Sequence, residues 1–210
     1  MKLKICGIRT TEMVRACHGG GVHYVGLNFV SDSRRKVLRM PDSINDNPFK
    51  LVGIFRDASL DFIIMNVKKY RLDVVQLHGS ETPDFIDQLQ EKLSTEVLDF
   101  PIWKALSVDN NFEVSDVQEY CKKCDLILFD SKYPGSGSLI IDHKKLQEAI
   151  LATKKTGTKV GIAGGINAEN IGKIRAKFPE ANLLDTASGV EIEGDFSVHE
   201  TRKLIQNFNA

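Results

Sequence analysis

No sign of charge dominates this chain: 28 Lys and Arg stand against 28 Asp and Glu in 210 residues. Nucleic-acid binders and proteins lying on anionic membranes need a basic excess, so neither partner is expected. That argument does not reach a local basic pocket for a small anion. Long apolar runs are also missing; nothing approaches the stretch of about 18 residues that crosses a bilayer. The opening residues enter a strand-like run without the basic, apolar and small-residue layout of a signal peptide, so the expected location is cytoplasmic. There the four cysteines, Cys6, Cys17, Cys121 and Cys124, stay reduced. Cys121 and Cys124 form a single C-K-K-C at the end of a helix, with no second CxxC or HxxxH to complete a zinc set, so no metal is expected. A dinucleotide fingerprint is absent too, since GIRTTE follows Cys6 where G-x-G-x-x-G would stand.

What the chain does have is alternation. Apolar, β-branched-rich runs fall at LKIC (3–6), YVGLNF (24–29), LVGIF (51–55), VVQLH (74–78), IWKAL (102–106), LILFD (126–130), KVGIAG (159–164) and LLDTA (183–187). They are continuous rather than alternating, as in parallel strands covered on both faces. Helical spacing fills the gaps. TTEMVRACHG opens on a Thr cap, SLDFIIMNVKKY aligns Leu60, Ile63, Ile64 and Val67, and TPDFIDQLQEKL sets Pro83 behind a Thr82 cap. HKKLQEAILATKK, NAENIGKIRAKF and SVHETRKLIQNF continue the series. The weakest helix is the second, expected around 41–48 in the polar PDSINDNP, where Pro48 limits its length. Eight such units point to an α/β fold, a (β/α)₈ TIM barrel occupying residues 1–210 as one domain, with a doubly wound sheet as the alternative.

In such a barrel the chemistry lies at the carboxyl ends of the strands. Read in order, those ends hold Cys6-Gly7, Asn28 with the loop SDSRRKV, Gln76 to Gly79, Lys104-Ala105, Asp130, Gly164-Gly165 and Ser188-Gly189. Each has a plain structural reading. Cysteines are commonly buried as small hydrophobes, His78 can be a hydrogen-bonded core residue, and Arg34-Arg35-Lys36 can be a solvated charge run. Asp130 closes the apolar run LILF, where a carboxylate must be solvated, paired or protonated. The two glycine pairs can be turns, or a backbone cradle for phosphate. An arginine at the barrel mouth can grip a carboxylate with its planar fork.

In this order and spacing, KICGIR, VGIF, VQLHG, FDS with GSG, AGGIN with AENI, and SGVE resemble the phosphoribosylanthranilate isomerase family across nearly the whole chain. The resemblance implies an Amadori rearrangement in tryptophan biosynthesis, on a phosphorylated sugar-anthranilate substrate, without metal or cofactor. It implies Cys6 as general base, Asp130 as general acid and Arg35 as the grip on the anthranilate carboxylate. The phosphate would sit over Gly164, Gly165, Ser188 and Gly189, with Gln76 and His78 in the pocket. The chemistry asks for a protonated Asp130 and an ionised Cys6, the reverse of their order in water. Phe129 and its apolar neighbours are expected to raise Asp130, and nearby positive charge or a backbone N–H to stabilise the Cys6 thiolate, with Lys2 and Lys4 flanking it in sequence.

Three departures from the family pattern stand out. Arg34 replaces the expected proline, so Arg34 and Arg35 compete for the substrate carboxylate. The usual glycine loop reads Pro134-Gly135-Ser136-Gly137 and SLIIDH, and EGDFSVHE follows SGVE in place of P-G-x-K-D. Asp185 keeps the family's acidic position. The alternatives are a related sugar-phosphate isomerase of histidine biosynthesis, against which Cys6 argues, and a non-catalytic phosphate-ligand-binding barrel. The outer helix faces fit a monomer and a homodimer alike.

Overall fold

The computed structural model describes residues 1–18, 20–96, 100–109, 112–131 and 143–210. Eight parallel strands close into a barrel in chain order, the last pairing with the first. They are β1 (Lys2–Cys6), β2 (Tyr24–Asn28), β3 (Lys50–Phe55), β4 (Val74–Leu77), β5 (Ile102–Val108), β6 (Leu126–Ser131), β7 (Lys159–Ile162) and β8 (Leu183–Thr186). The continuous apolar runs have two faces to satisfy. Val52, Val74, Trp103, Leu126, Leu128 and Leu183 fill the barrel interior, while Leu3, Ile5, Val25, Leu77, Ile127 and Phe129 join the larger core under the helices.

The two threonine caps expected from sequence form, and a serine cap joins them. The Thr10 side chain accepts from Met13 N–H to open α1 (Thr11–Cys17), Ser59 from Phe62 N–H for α2 (Leu60–Tyr70), and Thr82 from Phe85 N–H for α3 (Pro83–Thr95). Pro83 sits in the first turn of α3, where its missing N–H removes no helix bond. Around the later strands lie α4 (Val117–Cys121), α5 (His143–Lys155), α6 (Ile171–Lys177) and α7 (Val198–Asn209), the last preceded by a hairpin of β9 (Glu191–Ile192) and β10 (Asp195–Phe196). No described helix is long and apolar enough to cross a membrane.

The helix expected over 41–48 does not form. A single 3₁₀ turn, Ile44–Asp46, stands in its place, entered through Ser43 in the left-handed region at φ 61° and left in extended backbone at Asn47. Only Ile44 of that turn is buried, so a longer helix would have no apolar face to dock. The Pro134 to Asp142 segment, whose glycine loop departs from the family pattern, lies outside the described residues.

Candidate active site

Alternation along β1 directs Lys4 and Cys6 to the same side, opposite Leu3 and Ile5 of the helix-facing core. Lys4 is fully buried inside the barrel, and its Nζ lies 2.7 Å from Asp185 Oδ2 on β8, its partner in the strand register. The other carboxylate oxygen, Oδ1, is buried without a hydrogen-bond partner among the described residues. One layer higher, Cys6 is only partly covered and borders a cavity of about 270 Å³ at the carboxyl ends of the strands. Opposite it stands Gly26, where any Cβ would come within 2.8 Å of the Cys6 Sγ, so the thiol's space depends on that glycine.

Asp130 and His78 enter the cavity from β6 and from the residue after β4. His78 Nε2 lies 3.2 Å from Asp130 Oδ2, and its Nδ1 lies 3.0 Å from Nε2 of the fully buried Gln76. With Asp130 ionised, this chain fits one tautomer: Nε2–H donates to the carboxylate and Nδ1 accepts from the Gln76 amide. Gln76 Oε1 is then left buried without a partner among the described residues.

Arg35 lines the cavity, brought there by a loop that folds back so that Lys36 bridges to Asn28 beside the end of β2. Ser33 anchors that loop, its hydroxyl accepting from Asn28 Nδ2 and from the Arg35 N–H, both at 3.1 Å. Arg34 does not line the cavity and is 57% exposed against 18% for Arg35. Of the two arginines, Arg35 faces the pocket and Arg34 faces out.

Gly164 and Gly165 follow β7 with φ of 89° and 67°, a left-handed pair that side chains would strain. Both border the cavity with Ser188, while Gly165 and Ser188 also border an adjoining groove that contains Gly189. Of the residues singled out in the sequence, Cys6, Arg35, His78, Asp130, Gly164, Gly165 and Ser188 therefore share one cavity. Gln76 supports it through His78, and Gly189 lies next door.

Lys104, which the sequence puts near the end of the fifth apolar run, turns away from the barrel mouth: Trp103 and Ala105 take the inward face, and Lys104 reaches Glu81 at 2.8 Å, both side chains 2% exposed. Two sequence expectations are corrected. Phe129 does not desolvate Asp130, because the same alternation sends it to the helix layer against Phe112. The Cys6 thiol is not lowered in the ligand-free pocket. Burial pushes it above its ordinary range, Lys4 and Arg35 pull it back, and Asp185 adds to the rise. Burial opposes charge on Lys4 as well, but Asp185 and Cys6 outweigh it and raise Lys4, which holds the ammonium beside the thiol.

Sequence reasoning did not pair Lys4 with Asp185 and gave no role to Glu191, which binds both arginines. The odd spacing Lys4-Ile5-Cys6 inside an apolar strand was the available signal for the first. Cys121 and Cys124 are free thiols buried in the helix-side core. Among the described residues no cluster of three or more His, Cys, Asp or Glu has metal-binding geometry.

A closed parallel barrel whose mouth gathers a thiol, a histidine-bonded carboxylate, an arginine and a left-handed glycine pair defines a TIM-barrel enzyme for a small anionic substrate. The profile of N-(5'-phosphoribosyl)anthranilate (PRA) isomerase matches residues 3–207, and the chain belongs to that family of tryptophan-biosynthetic isomerases. Among curated relatives, the N-(5'-phosphoribosyl)anthranilate isomerase of Parabacteroides distasonis is 32% identical over 98% of this chain and 92% of its own length. That of Brevibacillus brevis is 30% identical over 100% and 94%. The crystal structure of phosphoribosyl anthranilate isomerase from Thermus thermophilus superposes with a TM-score of 0.78 at 27% identity, covering 100% of this chain and 98% of the other.

Proposed function

We propose that this chain converts N-(5-phosphoribosyl)anthranilate to 1-(2-carboxyphenylamino)-1-deoxyribulose 5-phosphate with Asp130 as general acid and Cys6 as general base. The observation that carries the assignment is that both residues face one cavity, from β6 and β1. Asp130 delivers a proton to the furanose ring oxygen as the C1–O bond breaks, leaving an iminium at C1. The Cys6 thiolate then removes the proton from C2, and the electron pair of that bond neutralises the iminium to give an enol amine. Protonation at C1 and loss of the C2 hydroxyl proton give the ketose.

The remaining groups fit the substrate's two anionic ends. Arg35 takes the anthranilate carboxylate. The phosphate lies over the N–H groups of Gly164 and Gly165 with Ser188 and Gly189 beside them. His78, steadied by Gln76, orients Asp130. Lys4 is the cation beside the thiol, and it favours the ionised form that the second step requires.

The test is steady-state turnover of the phosphoribosylanthranilate substrate by Cys6→Ala and Asp130→Asn. Each is expected to lose at least about 100-fold in kcat, the usual scale for a general acid or base. Near-wild-type turnover in both would overturn the assignment. Turnover of the histidine-pathway sugar phosphate is not expected, because Cys6 stands where that chemistry uses an aspartate.

A further inference from the structure

Two consecutive arginines close on one carboxylate at the rim of the cavity. Glu191 of β9 accepts from Arg35 Nε at 2.6 Å and from Arg35 Nη2 at 2.7 Å, and its Oε2 also accepts from Arg34 Nη2 at 2.6 Å. Glu191 is 8% exposed, so it is held in this position with little access to water. The contact takes the side edge of the Arg35 guanidinium, Nε–H with one Nη2–H. Of the five N–H groups of an arginine, the two on Nη1 and the second on Nη2 have no acceptor among the described residues. That edge fits a second carboxylate in the same bidentate manner.

Charge raises the difficulty that Arg34 resolves. Arg35 and Glu191 alone form a neutral pair, and an incoming carboxylate would meet the negative Glu191 beside the arginine meant to bind it. Arg34 brings the group of three to a net positive charge and draws Glu191 toward itself through Oε2. It is fixed at both ends: Nη1 donates to the Gly194 carbonyl at 3.3 Å in the β9–β10 turn, and its own carbonyl accepts from Arg9 Nη1 at 2.9 Å.

We propose that Arg34 is a specificity-determining residue for the carboxylated aromatic end of the substrate, acting through Glu191 and Arg35 rather than by touching the substrate. Glu191 orients the Arg35 fork, and Arg34 offsets the charge that this orientation introduces. The inference rests on the reading of Arg35 as the carboxylate grip. It concerns discrimination among ligands, not the chemical steps.

The experiment measures binding of two probes by calorimetry: the reduced product, which carries the carboxylate, and its phenylamino counterpart, which lacks it. Arg34→Gln should weaken the carboxylated probe about fivefold, as expected for one partly screened charge, and leave the other probe unchanged. Arg34→Lys should recover most of that loss, and in turnover Arg34→Gln should raise KM with kcat retained. Equal weakening of both probes would make Arg34 a structural residue and overturn the inference, as would no weakening of either. Arg35→Met separates the two claims. If it abolishes the preference for the carboxylated probe while Arg34→Gln does not touch it, the Arg35 reading stands and the Arg34 inference fails. If Arg35→Met leaves the preference intact, the Arg35 reading fails and takes the inference with it.

Discussion

A lysine enclosed in a barrel without a counter-charge would shed its proton. Lys4 keeps its own because Asp185 lies 2.7 Å from the Nζ. The consequence is felt at Cys6, where burial raises the thiol and Lys4 is the strongest influence in the opposite direction. Burial therefore favours the neutral thiol at Cys6, and its thiolate fraction grows as pH rises. Iodoacetamide labelling of Cys6, followed by peptide mass spectrometry, should be slow at pH 7 and accelerate through the alkaline range. Lys4→Met should shift that acceleration to still higher pH; an unchanged or lower onset would show that Lys4 does not govern the thiol. Cys6 and Asp130 fall at strand ends that can be counted from apolar runs, whereas Arg35 came from the family resemblance, the residues alone leaving Arg34 and Arg35 open. Lys4 could be seen in the sequence to flank Cys6, but its charge partner could not. Only its register with Asp185, 181 residues away, makes it internal.

At the scale of the elements, the period-two alternation of strands explains both what sequence reading found and what it misplaced. It recovers the strands themselves, but shifting the inferred face by one residue exchanges inside for outside. Lys104 was read at a strand end and Phe129 as a neighbour that desolvates Asp130, and both point to the helices. Helix starts were easier, since Thr10, Ser59 and Thr82 announce themselves by residue type. The 41–48 segment was harder because its polar residues fit a loop as well as a short helix. Lys104 has a structural duty instead of a catalytic one. Glu81, 5% exposed, accepts from it and from the N–H groups of Asp57 and Gly79, which ties the turn after β3 to the turn after β4. Lys104→Met should strip the buried carboxylate of its only cationic contact among the described residues. Urea unfolding should register a loss of about 3–5 kcal/mol, the range for breaking one side of a buried pair. A loss below about 1 kcal/mol would mean that the backbone donors suffice for Glu81.

Over the whole molecule, buried thiols link stability to alkaline pH. Burial pushes Cys17 and Cys124 up to about 12, from an ordinary value of 9.0. Between those limits the folded chain holds protons that the unfolded chain has released, so stability is full below about pH 9 and declines as pH rises toward 12. Thermal melts from pH 7 to 11 should show Tm falling above pH 9. The Cys17→Ala/Cys124→Ala double variant should start lower, from the lost side-chain volume, and decline less steeply. Equal slopes would remove these thiols as the cause.

The Lys4–Asp185 contact also joins the first strand to the last. A nascent or partly folded chain that has built β1 through β7 possesses Cys6 and most of the pocket wall, yet its lysine has no aspartate and its seam is open. The thiol thus acquires its electrostatic setting only at the step that completes the ring. Recovery of catalysis during refolding should not precede protection of the β1–β8 amides from hydrogen exchange; turnover before that protection would show that the thiol does not depend on the closed seam.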